Sequence, residues 1–301
     1  ESQLRCSPLG ARFPRNSGDA KTMAIATSGI DHVHLSVTDI EAFIARFSSI
    51  LDCESKIPLY IDSIQALNSM NSLNLDVFEP KEREGIAARQ MAGFGGPGLT
   101  TLSMRVEDID AATAHIEGCG VRVISKIGYP GVEIQSQFHP KDCFGMVLEL
   151  IEYIDGHEQV IAEINAKQAL DNDGHTFIPA QPGALAGSGI DHAHLRVPDL
   201  DEARRWLSRL FVCDWEDVTS TIDGAPTCRS SSGIHLNEAH DERPGLSSLA
   251  FGVDDMDAAR ALADAQKLRR LPAIGHRQDE TCLVLDRRDV FDLSLELVPS
   301  R

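Results

Sequence analysis

The stretch Ser28-Gly29-Ile30-Asp31-His32-Val33-His34-Leu35 returns as Ser188-Gly189-Ile190-Asp191-His192-Ala193-His194-Leu195. Residue 32 recurs at 192, an offset of 160. The chain is therefore built from two related halves, and each opens with the same His-x-His pair. On a strand, residues i and i+2 face the same side. Two imidazoles on one side of a strand mark a metal site or a polar cleft rather than ordinary core.

A second repeat lies inside the first. The segment from Pro97-Gly98-Leu99 to Glu149 matches the segment from Pro244-Gly245-Leu246 to Glu296, with residue 149 recurring at 296, an offset of 147. Val106, Asp108, Asp110, Asp142, Phe144, Leu148, Glu149 and Leu150 recur as Val253, Asp255, Asp257, Asp289, Phe291, Leu295, Glu296 and Leu297. The run Thr101-Leu102-Ser103-Met104-Arg105-Val106-Glu107-Asp108-Ile109 also follows the pattern of His32-Val33-His34-Leu35-Ser36-Val37-Thr38-Asp39-Ile40. Four modules result, starting near residues 29, 98, 189 and 245. Strong matches only between alternate copies indicate duplicated pairs rather than a solenoid.

Each module opens with a short alternating strand, Ile30 to Val37 in the first. Asp39 follows at a helix N-cap position. Ile40, Phe43, Ile44, Phe47 and Leu51 then recur at helical spacing. The third module repeats the arrangement with Asp199, then Leu200, Ala203, Leu207, Leu210 and Phe211. Short β-like runs come after each helix. The last is Met146-Val147-Leu148-Glu149-Leu150-Ile151 in the second module and Leu293-Ser294-Leu295-Glu296-Leu297-Val298 in the fourth. The order is strand, helix, then about three strands, with the number of middle strands open. The chain divides into a flexible leader or tag (1–27), a first paired-module domain (28–153), a connector (154–187) and a second paired-module domain (188–301). Within the connector, about His157 to Leu170 reads as helical and Asp171 to Gly187 as turn-rich.

Composition narrows the function. A length of 301 residues with 42% hydrophobic content suits one large or two mid-sized domains with ample core. No apolar run approaches the ~18–20 residues needed to cross a bilayer. A formal charge of −18 argues against a nucleic-acid binder or an anionic-membrane binder, while a local basic pocket for an anionic substrate stays open. The seven cysteines are scattered, odd in number and lack a CxxC pair, which fits a reducing cytosol. The repeat equivalents Cys53 and Cys213 read as small buried residues rather than catalytic thiols. The expected location is the cytoplasm. Residues 1–27 are rich in Ser, Arg, Gly and Pro, and Met23 can be a native start behind a leader; an Arg- and Ser-rich organelle transit remnant is the alternative.

Tandem strand-helix-strand-strand-strand modules that open with Asp-His-x-x-Leu-x-Val-x-Asp and close with Leu-Glu-Leu resemble the vicinal oxygen chelate superfamily. That superfamily includes glyoxalases, methylmalonyl-CoA epimerases, extradiol dioxygenases and hydroxyphenylpyruvate dioxygenases. The resemblance covers about residues 28–153 and 188–299. Locally, Phe138-His139-Pro140-Lys141-Asp142 followed by Gly145-Met146-Val147-Leu148-Glu149-Leu150 is most similar to the epimerases. The resemblance implies an α+β fold in which four tandem βαβββ modules pair into two cupped, mostly antiparallel sheets. It also implies a divalent metal (Fe, Zn, Mn, Co, Ni or Mg) in each active half, held by first and last strands.

The ligand positions so implied are His32, Asp76, Thr101 and Glu149 in the first half, and His192, His235, Ser248 and Glu296 in the second. Asp76 and His235 come from matching Leu75-Asp76-Val77-Phe78-Glu79 with Ile234-His235-Leu236-Asn237-Glu238 across a gap. Thr101 and Ser248 stand where the epimerases and dioxygenases carry a histidine, and hydroxyls are weak ligands. His34 and His194 face the same side as their neighbours and can compensate. The second half then offers His192, His235 and Glu296, the composition of a two-His-one-carboxylate site. The first half offers the oxygen-richer His32, Asp76 and Glu149.

The bland reading of a strand histidine is a hydrogen-bonded structural residue. Against it, each His-x-His has a repeated glutamate in an apolar strand, which is costly if buried and unpaired. Lys141 is either a contact for a substrate anion or a solvated turn lysine. His115, His157, His175, His240 and His276 lack repeat partners and read as surface residues. Three functions remain open, each taking a small-molecule partner. In the first, an isomerase or lyase, a metal stabilises an enolate-like intermediate while Glu149, Asp76 or Glu296 moves the proton. The second is an iron-dependent ring-cleaving or keto-acid dioxygenase. The third is a metal-free binding or resistance protein, which Thr101 and Ser248 favour. Two complete pairs in one chain can mimic the dimer of shorter relatives, and further oligomerisation is left open.

Overall fold

The computed structural model describes residues 24–171, 175–219, 226–238, 243–272 and 281–300. The first half runs β1 (Ile30–Ser36), α1 (Ile40–Phe47), β2 (Ser55–Lys56), β3 (Leu59–Ile61), β4 (Ala66–Met70), β5 (Leu75–Pro80), α2 (Ile86–Gly93), β6 (Gly98–Arg105), α3 (Ile109–Gly118), β7 (Val123–Tyr129), β8 (Glu133–Phe138) and β9 (Val147–Tyr153). The connector holds α4 (His157–Asp171) and β10 (Phe177–Ile178). The second half runs β11 (Gly187–Val197), α5 (Leu200–Leu210), β12 (Trp215–Thr219), β13 (Pro226–Ser230), β14 (Ile234–Glu238), β15 (Gly245–Val253), α6 (Met256–Ala265), β16 (Arg270–Leu271), β17 (Leu283–Leu285) and β18 (Leu295–Pro299).

Four aspartates start four helices. Asp39, Asp108, Asp199 and Asp255 each hold extended backbone, and each carboxylate accepts a backbone N–H from the first turn of α1, α3, α5 or α6. The helices bury one face: Ile40, Phe43, Ile44 and Phe47 on α1, and Ala203, Trp206, Leu207 and Leu210 on α5.

The strands form two eight-stranded sheets of matching order, β3-β4-β5-β1-β6-β9-β8-β7 and β12-β13-β14-β11-β15-β18-β17-β16. At each centre the opening strands of the two modules run antiparallel, β1 with β6 and β11 with β15. Each central strand has one parallel outer neighbour: β5, β9, β14 or β18. The remaining pairs are antiparallel. The first module carries an additional run, β2, which leaves the large sheet and pairs with β10 of the connector.

One apolar cluster runs through both halves. Phe47 of α1 meets Phe251 of β15 edge-on at 5.5 Å, and Phe43 meets Phe291 at 6.3 Å. In return Phe144 meets Trp206 of α5 at 5.4 Å. Alternation along β1 and β11 sends Val33, Leu35, Ala193, Leu195 and Val197 into this core. The histidines between them are thereby turned to the other face.

Three sequence expectations need correction. His115 is buried, not at the surface: its Nε2 lies 2.8 Å from the carbonyl oxygen of Arg209, tying α3 to α5. Cys213 is only half-buried, whereas Cys53 is buried and its thiol pKa is pushed up to about 12, chiefly by burial. Residues 24–27 are not free leader, because Ile25 exchanges backbone bonds of 2.8 Å with Leu210 and Val212. His157 is half-buried against Tyr153, and His175 is exposed. Residues 1–23, His240 and His276 lie outside the described residues. Among the described residues, no helix is long and apolar enough to cross a membrane.

Gly145 sits where the halves touch, at φ +83°, and a Cβ there would collide with the Pro244 carbonyl oxygen. Gly145→Ala should therefore lower unfolding stability by roughly 1–3 kcal/mol, read from urea denaturation. An unchanged midpoint would contradict this close approach.

Candidate metal centre

The central strand pairing sets the first cluster. His34 stands opposite Asp76 of β5 on one side and Thr101 of β6 on the other. His32 stands opposite Ser103, which in turn stands opposite Glu149 of β9. One transverse row thus carries His32, Ser103 and Glu149, and the next carries Asp76, His34 and Thr101. The Nε2 atoms of His32 and His34 are 3.0 Å apart. Glu149 Oε1 is 3.2 Å from His32 Nε2 and 3.9 Å from His34 Nε2, and Asp76 Oδ2 is 3.8 Å from His34 Nε2.

The second cluster repeats the plan with more nitrogen. His194 stands opposite His235 of β14 and Ser248 of β15. His192 stands opposite Ala250, which faces Glu296 of β18. The His192 and His194 Nε2 atoms are 3.0 Å apart, and the His192 and His235 rings stack at 3.8 Å. Glu296 lies 3.3 Å from His194 Nε2 and 3.9 Å from His192 Nε2. His192, His194 and His235 are each no more than 4% exposed. Their ring nitrogens lie within 4.8 Å of one another, as do the donor atoms of His32, His34 and Asp76.

Most donors are held from behind. Asp31 Oδ1 takes the Nδ1 of His32 at 2.8 Å, and Asp191 does the same for His192 at 2.7 Å. Strict alternation would point these aspartates away from their neighbours. The register shifts between Ile30 and His32, and between Ile190 and His192, let them reach back. Tyr153 donates to Asp31 at 3.0 Å. Asn68 donates to Asp76 at 2.6 Å, and Gln137 to Glu149 at 2.7 Å. In the second half Asn237 holds His194 Nδ1 at 2.6 Å, and Ser248 donates to Glu296. Ring nitrogens occupied on the far side fix both tautomer and orientation, the usual backing of metal-ligating histidines.

Electrostatics separate the halves. Burial works against the His32 cation, but the bonds to Asp31 and Glu149 and the charges of Glu149 and Asp76 outweigh it, and its pKa is raised. Burial likewise works against the Glu149 carboxylate, and its bond with His32 and the charge of His34 outweigh that cost. The first cluster can thus settle as a proton-sharing pair. In the second half burial holds His192 down to about 4 and, with the adjacent imidazoles, drives His235 well below its ordinary value. His194 is raised, because the Glu296 charge and its bonds with Glu296 and Asn237 exceed the effect of burial. Two neutral imidazoles stacked in the interior present lone pairs, the form in which histidine binds a metal.

Among the described residues, the buried side-chain atoms without a hydrogen-bond partner include one candidate donor from each cluster, Glu149 Oε1 and His235 Nδ1. Glu149 Oε1 is within ion-pair range of His32, but the single Nε2 proton of His32 also faces His34. The His235 nitrogen has no such neighbour; an orphaned buried atom costs about 1–3 kcal/mol, a cost that a cation bound to it would remove.

The sequence-derived residues therefore separate into groups. His32, His34, Asp76 and Glu149 converge, as do His192, His194, His235 and Glu296. Thr101 lies across from His34 with its hydroxyl 3.5 Å from that of Thr100, and the Ser248 hydroxyl is committed to Glu296. Lys141 does not join them. It is exposed in the Pro140–Asp142 turn, which is fixed by His139 accepting the Lys141 N–H and by Asp142 pairing with Arg122. Asp31 and Asp191 carry a legible sequence signal, their place directly before each repeated histidine. Asn68, Gln137, Asn237 and Ser103 gave no sequence signal.

Residues 31–138 match the Glyoxalase/Bleomycin resistance protein/Dioxygenase superfamily. The chain has the fold of the dioxygenase and glyoxalase structures it superposes on. It superposes on catechol 2,3-dioxygenase with a TM-score of 0.61 at 14% identity, covering 92% of this chain and 89% of that one. The Mn(II)-bound glyoxalase from Novosphingobium aromaticivorans gives 0.59 at 13% identity, with 91% and 82% covered. Homoprotocatechuate 2,3-dioxygenase from Arthrobacter globiformis gives 0.61 at 15%, with 93% and 82% covered. At these identities the likeness establishes the fold and not the reaction. No protein of curated function matches the sequence.

Ser103 Oγ is fully buried without a hydrogen-bond partner between His32 and Glu149. Ser103→Ala should leave stability unchanged or raise it by up to ~1 kcal/mol, because an unpaired hydroxyl is removed. A loss above ~1 kcal/mol in chemical denaturation would show that the hydroxyl is bonded.

Proposed function

We propose that the chain is a metal-dependent enzyme acting on a small substrate with adjacent oxygens, and that the second half holds its transition metal more tightly than the first. The carrying observation is the buried cluster of His192, His194 and His235, whose ring nitrogens converge within 4.8 Å while His235 Nδ1 has no partner. These imidazoles would hold the ion. When bound, it supplies a Lewis acid for the two substrate oxygens. The reading favours an isomerase or lyase. Glu296 accepts a proton from the substrate carbon, and Ser248 fixes the carboxylate for that task. Asp191 and Asn237 keep the His192 and His194 rings oriented throughout. In the first half His32, His34 and Asp76 would hold an ion and Glu149 would take the part of Glu296, with Asn68 and Gln137 as orienting groups.

A second reading, a ring-cleaving or keto-acid dioxygenase, is favoured by the nitrogen-rich donor set, since two histidines and a carboxylate suit non-haem iron. Oxygen uptake with catechols and 2-oxo acids would select it. Solvent-deuterium exchange into a panel of hydroxyketones and 2-oxo acids without oxygen uptake would select the proton-transfer reading.

The double change His192→Ala with His235→Ala should remove most of the transition metal that copurifies, measured as metal per chain. Equal metal content in that variant would contradict the assignment. Glu296→Gln should keep the fold and lower deuterium exchange by ~100- to 10,000-fold, the usual worth of a positioned base. Exchange at the parent rate in both Glu296→Gln and Glu149→Gln would end the proton-transfer reading.

A further inference from the structure

A cavity of about 220 Å³ lies on the seam between the halves and shares no residue with either histidine cluster. Its charged lining is Arg196, Arg243, Arg287 and Asp292. Three arginines against one aspartate reverse the sign of a chain whose formal charge is −18. Gly98 and Gly245 line it as well and leave parts of the wall without side chains, so a ligand can approach the backbone closely.

The fold does not require these cations. The internal repeat supplies the comparison: Arg196 corresponds to Ser36, Arg243 to Gly96 and Arg287 to Pro140. The first half builds the same strand end, loop and turn without a single positive charge at those places. The contacts of Arg243 and Arg287 are also partial. Arg243 donates to the Gly93 carbonyl at the end of α2, and Arg287 Nε stands 3.8 Å from Asp292 Oδ1, at the outer limit of an ion pair. A guanidinium has five donors, so donors on both remain for a ligand. Arg196 is half-buried on β11, and both burial and the Arg287 charge act against its cation.

We infer that this seam cavity is an anion site that takes the carboxylate or phosphate group of a small molecule between Arg196, Arg243 and Arg287. Guanidinium forks match both groups in a bidentate manner. The volume falls below the ~300–1,000 Å³ of pockets for drug-sized ligands, so a compact anion fits better than a nucleotide. Because both halves line the cavity, occupancy couples them and stabilises the folded chain.

The test is calorimetric titration and thermal unfolding of the full chain with inorganic phosphate and with malonate, using chloride at matched ionic strength as control. A saturable response to phosphate, malonate or both, and none to chloride, is expected. Phosphate preference assigns a phosphate ligand, and malonate preference a carboxylate. Arg196→Gln with Arg287→Gln should weaken binding at least ~10-fold, as should Arg243→Gln separately, and metal content should stay unchanged. Asp292→Asn should tighten binding, because the competing carboxylate is removed; this variant keeps the test decisive if the arginine variants fold poorly. Absence of a saturable response in the parent chain would overturn the inference. So would affinity unchanged in both arginine variants, or weakened in Asp292→Asn.

Discussion

The structure depends on the antiparallel pairing of the opening strands, β1 with β6 and β11 with β15. A strand slipped by one residue would turn every side chain to the opposite face. Val33, Leu35, Ala193 and Leu195 are locked into the shared core, so register has a large apolar penalty against slipping. The same lock turns His32, His34, His192 and His194 outward and lines them up with carboxylates on the parallel neighbours. Apolar packing therefore positions the polar chemistry, and the histidines need no contribution of their own to hold the fold.

That arrangement carries a cost. Each cluster gathers titratable groups in the interior, where an unpaired charge is penalised by several kcal/mol. The first half meets the cost with a shared proton, since His32 and Glu149 form a tight pair at 3.2 Å. The second half leaves His192 and His235 neutral and stacked, with one nitrogen unsatisfied. A purely structural cleft would be more stable with apolar residues there. Duplication has thus produced two copies of one plan that differ in the atoms offered to a cation, and Asp76 against His235 is the decisive difference.

Much of this was legible in the sequence. The repeat gave the modules, the aspartates gave the helix starts, and the spacing of Leu-Glu-Leu gave the closing strands. His32 with Glu149 and His192 with Glu296 could be paired because both ends recur. What could not be read depends on register and on the seam. Asn68, Gln137 and Asn237 act from neighbouring strands whose alignment no local pattern encodes. Asp31 reaches His32 only because the pairing shifts register beside it. His115 looked like a surface residue because its partner, the Arg209 carbonyl, belongs to the other half. Lys141 read either as a substrate-anion contact or as a solvated turn lysine; it is exposed in a turn held by Asp142 and Arg122, and the cationic cavity lies on other residues, without repeat equivalents of like charge.

The central claim is that the second cluster is a metal centre. Its most direct test is anomalous diffraction at the absorption edge of the copurifying metal, from crystals grown without chelator. The account predicts one anomalous peak within ~2.0–2.3 Å of ring nitrogens of His192 and His235, at a height no lower than that of any peak in the first cluster. A metal-replete crystal with no peak there, and with His235 Nδ1 satisfied by an ordered water instead, would contradict it.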